Sequence, residues 1–234
     1  RAGMSAGRAA RVLALTLAFG VSPRWVPDFG GVDPDSFPIP QDDPPVQPKG
    51  YAFAIWGIIY LWLIVGAGFG LLKRGTGAGW DRMRTPLALS PAVGAIWLPV
   101  AVLSPGWATV LIWAMLVPAL VALFRAPQRD AWAAAWPVAL YAGWLSAASC
   151  VALGLLLGGY GVLSEDAAAA LMIVVAGGLA VAVQTRLGRA PTYGVAAVWA
   201  LVAIVVQNGV VALPGVLAAC AAVALLWPTY RASI

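Results

Sequence analysis

Basic side chains occupy every second gap between the long apolar runs of this chain, and few patterns restrict a fold more. The runs cover residues 12–22, 51–72, 86–103, 107–124, 131–157, 167–185, 190–206 and 210–227. Arg1, Arg8 and Arg11 precede the first run, and Lys73, Arg74, Arg82 and Arg84 fill the second gap. Arg125 and Arg129 fill the fourth, Arg186 and Arg189 the sixth, and Arg231 follows the last. If each run is a crossing, twelve of the fourteen Lys and Arg residues fall on one side. Arg24 and Lys49 fall on the other, with seven of the nine acids. Short loops on the cytoplasmic side of a bilayer retain Lys and Arg, so the alternation orients the chain as well as counting its crossings. The expected fold class is all-α: a polytopic transmembrane helix bundle of about eight helices with both termini cytoplasmic.

Composition points the same way. The chain is 62% hydrophobic and 10% charged, whereas soluble domains carry roughly 25% charge. The runs are rich in Gly, Ala, Leu and Val without strict alternation, which excludes a barrel with a polar lumen. A net charge of +5 spread over short loops reflects topology, so no nucleic-acid partner is expected. The first run is short. Arg8 and Arg11 followed by Val12–Val21, with Ala18-Phe19-Gly20 as a cleavage site, also describe a signal peptide.

Several chemistries are disfavoured. The chain has no histidine, the commonest metal ligand and general base near neutral pH. Cys150 and Cys220 lie inside apolar runs at no metal or redox spacing, so neither metal nor cofactor is expected. No Asp, Glu, Lys or Arg lies deep in a run, which argues against a proton-coupled pump. Ser90, Ser146 and Ser149 have no partner from which to build a hydrolase site, and the chain does not read as an enzyme. Residues 23–49 form the one long outer loop, dense in proline, either a functional lid or a spacer. Its acids, Asp28, Asp33, Asp35, Asp42 and Asp43, read as solvated, because Asp33-Pro34-Asp35 lacks the glycine turn and terminal Glu of a calcium loop.

The aromatic residues are more specific. Among twelve tryptophans, Trp25, Trp80, Trp107, Trp132 and Trp227 lie near run ends, as interfacial belts do. Trp56, Trp97, Trp113, Trp144 and Trp199 lie deeper. Phe53, Trp56 and Tyr60 share one helix face, with Trp62 turned towards lipid. Tyr141, Trp144 and Ala148 repeat the spacing in the fifth run. Such stripes serve either as helix packing or as the wall of a site for a flat hydrophobic ligand.

The stretch Pro48-Lys49-Gly50-Tyr51-Ala52-Phe53-Ala54-Ile55-Trp56-Gly57-Ile58-Ile59-Tyr60 resembles the second helix of the TspO/MBR family, the tryptophan-rich sensory proteins related to the mitochondrial translocator protein. Tyr141-Ala142-Gly143-Trp144-Leu145-Ser146-Ala147-Ala148-Ser149 is similar to the fifth helix of that family, and Trp97 sits near a family tryptophan. The resemblance covers roughly residues 10–158 and includes a retained first helix. Two features depart from the pattern: the Phe53–Trp56 interval is one residue shorter than in five-helix members, and Ala152 replaces the asparagine that closes the fifth-helix motif.

The resemblance implies a five-helix unit, residues 1–158, with three additional helices in 159–234, as in a longer, divergent branch. It implies a receptor or sensor binding a porphyrin-like or sterol-like hydrophobic small molecule between helices, under residues 23–49. The implied ligand-binding residues are Gly50, Tyr51, Phe53, Trp56, Tyr60, Trp97, Tyr141, Trp144 and Ser146. Without a histidine for iron, the resemblance favours a metal-free porphyrin. A passive carrier, with Pro91, Pro99, Pro118 and Pro137 breaking helices, is one alternative. An assembly subunit or homo-oligomer using the Gly66/Gly70 and Gly154/Gly158 pairs is another. The expected location is a bacterial inner membrane, with the lipid bilayer as the constant partner.

Overall fold

The computed structural model describes residues 2–26 and 32–234, with side chains from Ser5 onward; Arg1 and Asp28, both counted above, lie outside the described residues. Eight α-helices follow one another: α1 (Ala2–Val21), α2 (Ile55–Arg74), α3 (Ala78–Leu103), α4 (Pro105–Arg125), α5 (Ala135–Gly159), α6 (Glu165–Leu187), α7 (Thr192–Asn208) and α8 (Leu213–Arg231). Among the described residues there is no strand. Six of them, α2 to α6 and α8, are long and apolar enough to cross a membrane. The other two differ from a uniform set of eight crossings. α7 has 17 residues, about 25 Å at 1.5 Å per residue, and α1 carries Arg8 and Arg11 within its length.

Local chemistry sets the boundaries. Pro105 opens α4, and the Ser104 hydroxyl accepts from the Trp107 amide at 3.3 Å. Ser164 caps α6 in the same way, with Glu165 and Asp166 in the first turn, where the helix dipole favours acids. α6 ends where Gly188 adopts φ 58°, the left-handed cap that glycine enters without strain. The run expected from residue 51 becomes a 3-10 turn, Gly50–Ala54, before α2 begins at Ile55. The prolines break no helix: α3 continues through Pro86, Pro91 and Pro99, and α4 through Pro118, while Pro137 lies in the first turn of α5. Neighbouring helices and side-chain donors can compensate carbonyls that a proline frees.

α1 packs against α2 and α3, with Phe19 only 1% exposed. α5 is the central helix, in contact with α2, α4, α6 and α7. Small residues permit this. A Cβ at Gly143 would collide with the carbonyl of Tyr193 in α7, and one at Gly66 with that of Ala133. The glycine pairs suggested for assembly are all used inside the chain. Gly70 packs on Trp80, Gly154 on Val46 and Met172, and Gly158 on Gln41 and Glu165.

Two tryptophan expectations are corrected. Trp80 is 4% exposed against Gly70, not interfacial. Trp62 is half-buried rather than turned to lipid, its Nε1–H donating to the Trp132 carbonyl at 2.7 Å. Trp25, Trp107, Trp132 and Trp227 are exposed near helix ends, as an interfacial belt requires.

The helix order gathers the basic residues at one end, here called the basic end, and the 32–49 segment at the other, the loop end. Two arginines at the basic end are structural. Arg84, 2% exposed, closes the end of α2. Arg189 donates to the Leu123, Phe124 and Ala126 carbonyls at the end of α4. Each satisfies carbonyls that a helix terminus leaves without partners.

Candidate ligand-binding site

The two aromatic stripes face each other and touch. Trp56 stacks on Tyr60 at 5.3 Å and meets Trp144 edge-on at 6.2 Å and Tyr141 at 6.4 Å. Phe53 lies edge-on to Trp144 at 5.8 Å. Phe19 of α1 fills the space between the stripes, 4.9 Å from Tyr60, 5.7 Å from Tyr141 and 5.8 Å from Trp56. Edge-to-face and stacked rings at these separations are favourable packing. The centre of the cluster is therefore occupied by protein, and open space lies to its sides.

That space forms two cavities. The inner one, about 70 Å³, is walled by Phe53, Trp97, Ile112, Trp144 and the small-residue face Ala147–Ala148 of α5, and roofed by Val32, Gln47 and Pro48. The outer one is a groove of about 380 Å³ between α2 and α3, bounded by Trp56, Gly57, Tyr60 and Leu98, with Pro23 and Val26 above. Phe53 and Trp97 line both. No lining residue of either cavity is charged. The Nε1–H of Trp144, buried in the inner wall, has no hydrogen-bond partner among the described residues. An unpaired buried donor is costly and calls for an acceptor.

The loop is a fixed cap over residues 32–49. The Ile39 amide donates to the Gly159 carbonyl at 2.9 Å and the Lys49 amide to the Ala203 carbonyl at 3.1 Å. Asn208 Nδ2 donates to the Pro45 carbonyl at 2.8 Å, and Gln41 Nε2 to Glu165 at 3.3 Å. Phe37 seats on Gly159 and Val46 on Gly154. Its anchors are the loop ends of α5, α6 and α7.

Of the residues implied by resemblance, Phe53, Trp56, Tyr60, Trp97 and Trp144 line the cavities. The others lie apart. Tyr141 is fully buried behind them, its hydroxyl donating to Ser90 Oγ at 2.7 Å, because that serine donates in turn to the Met115 carbonyl. Ser146 faces α7, bonded to Ala142 and to the Tyr193 hydroxyl. Tyr51 packs edge-on against Trp199 at 5.5 Å. A Cβ at Gly50 would meet nothing within 4 Å, so no close approach requires glycine there. Phe19 and Ile112 were not anticipated; Val32, Gln47 and Pro48 belong to the 23–49 segment expected to cover the site, though none was singled out as a contact. Among the described residues no three His, Cys, Asp or Glu side chains gather into a metal site.

Helices of spanning length and an uncharged aromatic cavity beneath a fixed cap define an integral membrane protein of the polytopic helical class. A family model described as TSPO-like protein matches residues 41–230, most of the chain, and the chain belongs to that family. The match takes in α2 to α8, and so reaches past the stretch on which the resemblance was first drawn. No curated protein and no solved structure matches the chain.

Proposed function

We propose that this protein is a membrane receptor or sensor that binds a flat hydrophobic ligand, a porphyrin in the first instance, and affects its transport or stress signalling. The observation that carries this reading is the uncharged aromatic cavity walled by Phe53, Trp97 and Trp144. Ring faces supply stacking area for a flat ligand. Small-molecule sites commonly measure roughly 300–1,000 Å³. The outer groove reaches that range and the inner cavity extends it. A sterol-like molecule is the alternative ligand.

The same proposal includes the layout of the chain. Residues 1–158 form the ligand-binding five-helix unit and 159–234 a supplement, a division supported by the cavity walls, to which the supplement adds only Ala200. The basic end faces the cytoplasm of a bacterial inner membrane, and binding rather than catalysis is the activity. A passive carrier is the second reading, favoured by one observation: the outer groove lies beside the exposed apolar residues Ile58 and Ile96, where solute can pass to lipid.

Titration of the purified protein with protoporphyrin, followed by tryptophan quenching, tests the reading. Saturable, stoichiometric quenching weakened in Trp56→Ala/Trp144→Ala is the expected result. Non-saturable quenching equal in both proteins would mean partition into detergent and would remove the ligand assignment. Flux of the bound compound in proteoliposomes separates carrier from receptor.

A further inference from the structure

Helices α6 and α8 touch at mid-length and part towards the basic end. A Cβ at Gly177 would lie 2.7 Å from the Ala221 Cβ, so the two backbones are close there. Beyond that contact a cleft of about 440 Å³ opens between them. Val181, Ala224, Trp227 and Pro228 give it an apolar wall, and Gln184, Thr185 and Arg231 are its polar side chains. It shares no residue with the aromatic cavities at the loop end.

The polar side chains differ in what they leave free. Gln184 is fully engaged: its Nε2 donates to the Arg189 carbonyl at 3.1 Å, and its Oε1 accepts from the Gly194 amide at 2.8 Å. Arg231, in the last turn of α8, carries its guanidinium over the Trp227 ring, 6.0 Å from the centroid, a contact that favours the cation without using its N–H groups. Among the described residues that guanidinium meets no carboxylate and makes no hydrogen bond, and the Thr185 hydroxyl makes none either. Arg74, Arg84 and Arg189 at the same end are all bonded to protein groups. No acid lines the cleft.

Depth adds a second constraint. Trp227 and Tyr230 are exposed side by side, with ring centroids 6.2 Å apart, as aromatic side chains at a bilayer surface are. The cleft therefore runs from headgroup level at Arg231 into the apolar layer at Val181. A soluble anion would use Arg231 and leave the apolar wall unmatched. A zwitterionic lipid would bring an ammonium to a cleft with no acid to receive it. A lipid with one phosphodiester and no ammonium matches both ends. Basic pockets between membrane helices take anionic headgroups in this way, and the guanidinium–phosphate pair supplies the direction.

We propose that the cleft between α6 and α8 binds an anionic phospholipid from the leaflet at the basic end, with its phosphodiester on Arg231 and Thr185 and an acyl chain along Val181, Ala224 and Pro228. This goes beyond the ligand-binding reading above and does not depend on it.

Native mass spectrometry of the purified protein with phosphatidylglycerol and phosphatidylcholine is the test. The wild type is expected to retain phosphatidylglycerol in preference by about fivefold or more, as one cation near the headgroup implies. Arg231→Gln should lose that preference; the side chain is exposed and unbonded, so the packing of α8 is untouched. Arg125→Gln removes an exposed charge from the same end but outside the cleft, and should keep the preference within about twofold. Ala224→Phe, a ring added at an exposed wall position, should fill the cleft and reduce phosphatidylglycerol retention. Equal losses in Arg231→Gln and Arg125→Gln would overturn the site in favour of diffuse surface attraction. Equal retention of the two lipids by the wild type would overturn it in favour of annular contact. Displacement of phosphatidylglycerol by equimolar glycerol 3-phosphate would also overturn it, because the acyl chain would then contribute nothing.

Discussion

The guanidinium of Arg84 in α3 donates to the carbonyl oxygen of Gly70 in α2 at 3.0 Å. The same group reaches the carbonyls of Arg74 at 2.8 Å and Gly75 at 2.9 Å, and the Ser5 hydroxyl of α1 at 2.9 Å. One buried side chain thus closes the last turn of one helix and ties three together. Asp81, 3.6 Å away and itself bonded to Arg8, balances the charge.

Removing that group should leave several buried carbonyls without donors. Arg84→Leu is expected to destabilise the bundle by about 2–4 kcal/mol, and Arg84→Lys by less, since a point charge cannot span the carbonyls as a planar fork does. Denaturant titration in detergent, read by tryptophan fluorescence, measures both. An unchanged midpoint for the leucine variant would show that water satisfies the α2 terminus equally well.

Ligand binding should separate residues that line the cavities from residues that only stand behind them. Trp144→Ala is expected to weaken protoporphyrin binding by about tenfold or more by removing ring area from the cavity wall, and Trp144→Phe, which keeps most of that area, by less. Tyr51→Phe, Ser146→Ala and Tyr141→Phe should change affinity by less than about twofold. Tyr141→Phe should still cost stability, because the Ser90 hydroxyl loses a donor. Equal losses of affinity across both groups would move the site away from the inner cavity.

The difference between those groups also shows what the sequence made legible. Helix number and order follow from apolar runs and basic gaps, because hydrocarbon leaves the backbone few alternatives to helices. The facing stripes Phe53–Trp56–Tyr60 and Tyr141–Trp144 follow from helical period. Periodicity says which side chains face inward but not what they meet. Tyr141 meets Ser90 and Phe19, and Ser146 meets Tyr193, partners distant in sequence. Phe19 was hidden for the same reason: its place depends on α1 packing into the bundle. Arg84 read as a loop cation, because nothing local distinguishes a charge that tracks topology from one that caps a neighbouring helix. Trp80 likewise looked interfacial until Gly70 provided the hollow it fills.

Acid should weaken one contact at the basic end selectively. Arg74 donates to both carboxylate oxygens of Asp130, at 2.6 and 3.2 Å, and these bonds hold the Asp130 carboxyl below its ordinary range. A depressed folded-state pKa means that the contribution is complete above the unfolded value, about 3.9, and disappears as pH falls through the folded one. Asp130→Asn is the suitable comparison, because position 130 has φ 59° and asparagine tolerates the left-handed region. At neutral pH the wild type should have the higher Tm, and the gap should narrow as the pH falls below about 3.9, closing only once it passes below the depressed folded-state value. A gap independent of pH would mean that the carboxylate charge contributes nothing.

Helix contact within the chain predicts opposite outcomes for one substitution at two glycines. A Cβ at Gly143 would run into the Tyr193 backbone carbonyl and lie 3.1 Å from the Ala196 Cβ, so α5 and α7 could not keep their separation. Backbone cannot swing aside as a flexible side chain can. Gly143→Ala should therefore destabilise the protein by about 2 kcal/mol or more, in the range of overpacked cores. It should also lengthen the Ser146–Tyr193 hydrogen bond, 2.9 Å in the native packing. Gly68 in α2 has nothing within 4 Å of its Cβ position. There, alanine removes backbone freedom from the unfolded chain and should be neutral or stabilising by about 0.5–1 kcal/mol. Parallel thermal melts in one detergent compare the two variants. Similar shifts for both would mean that α5 and α7 are not packed through Gly143, and the central position of α5 would need to be redrawn.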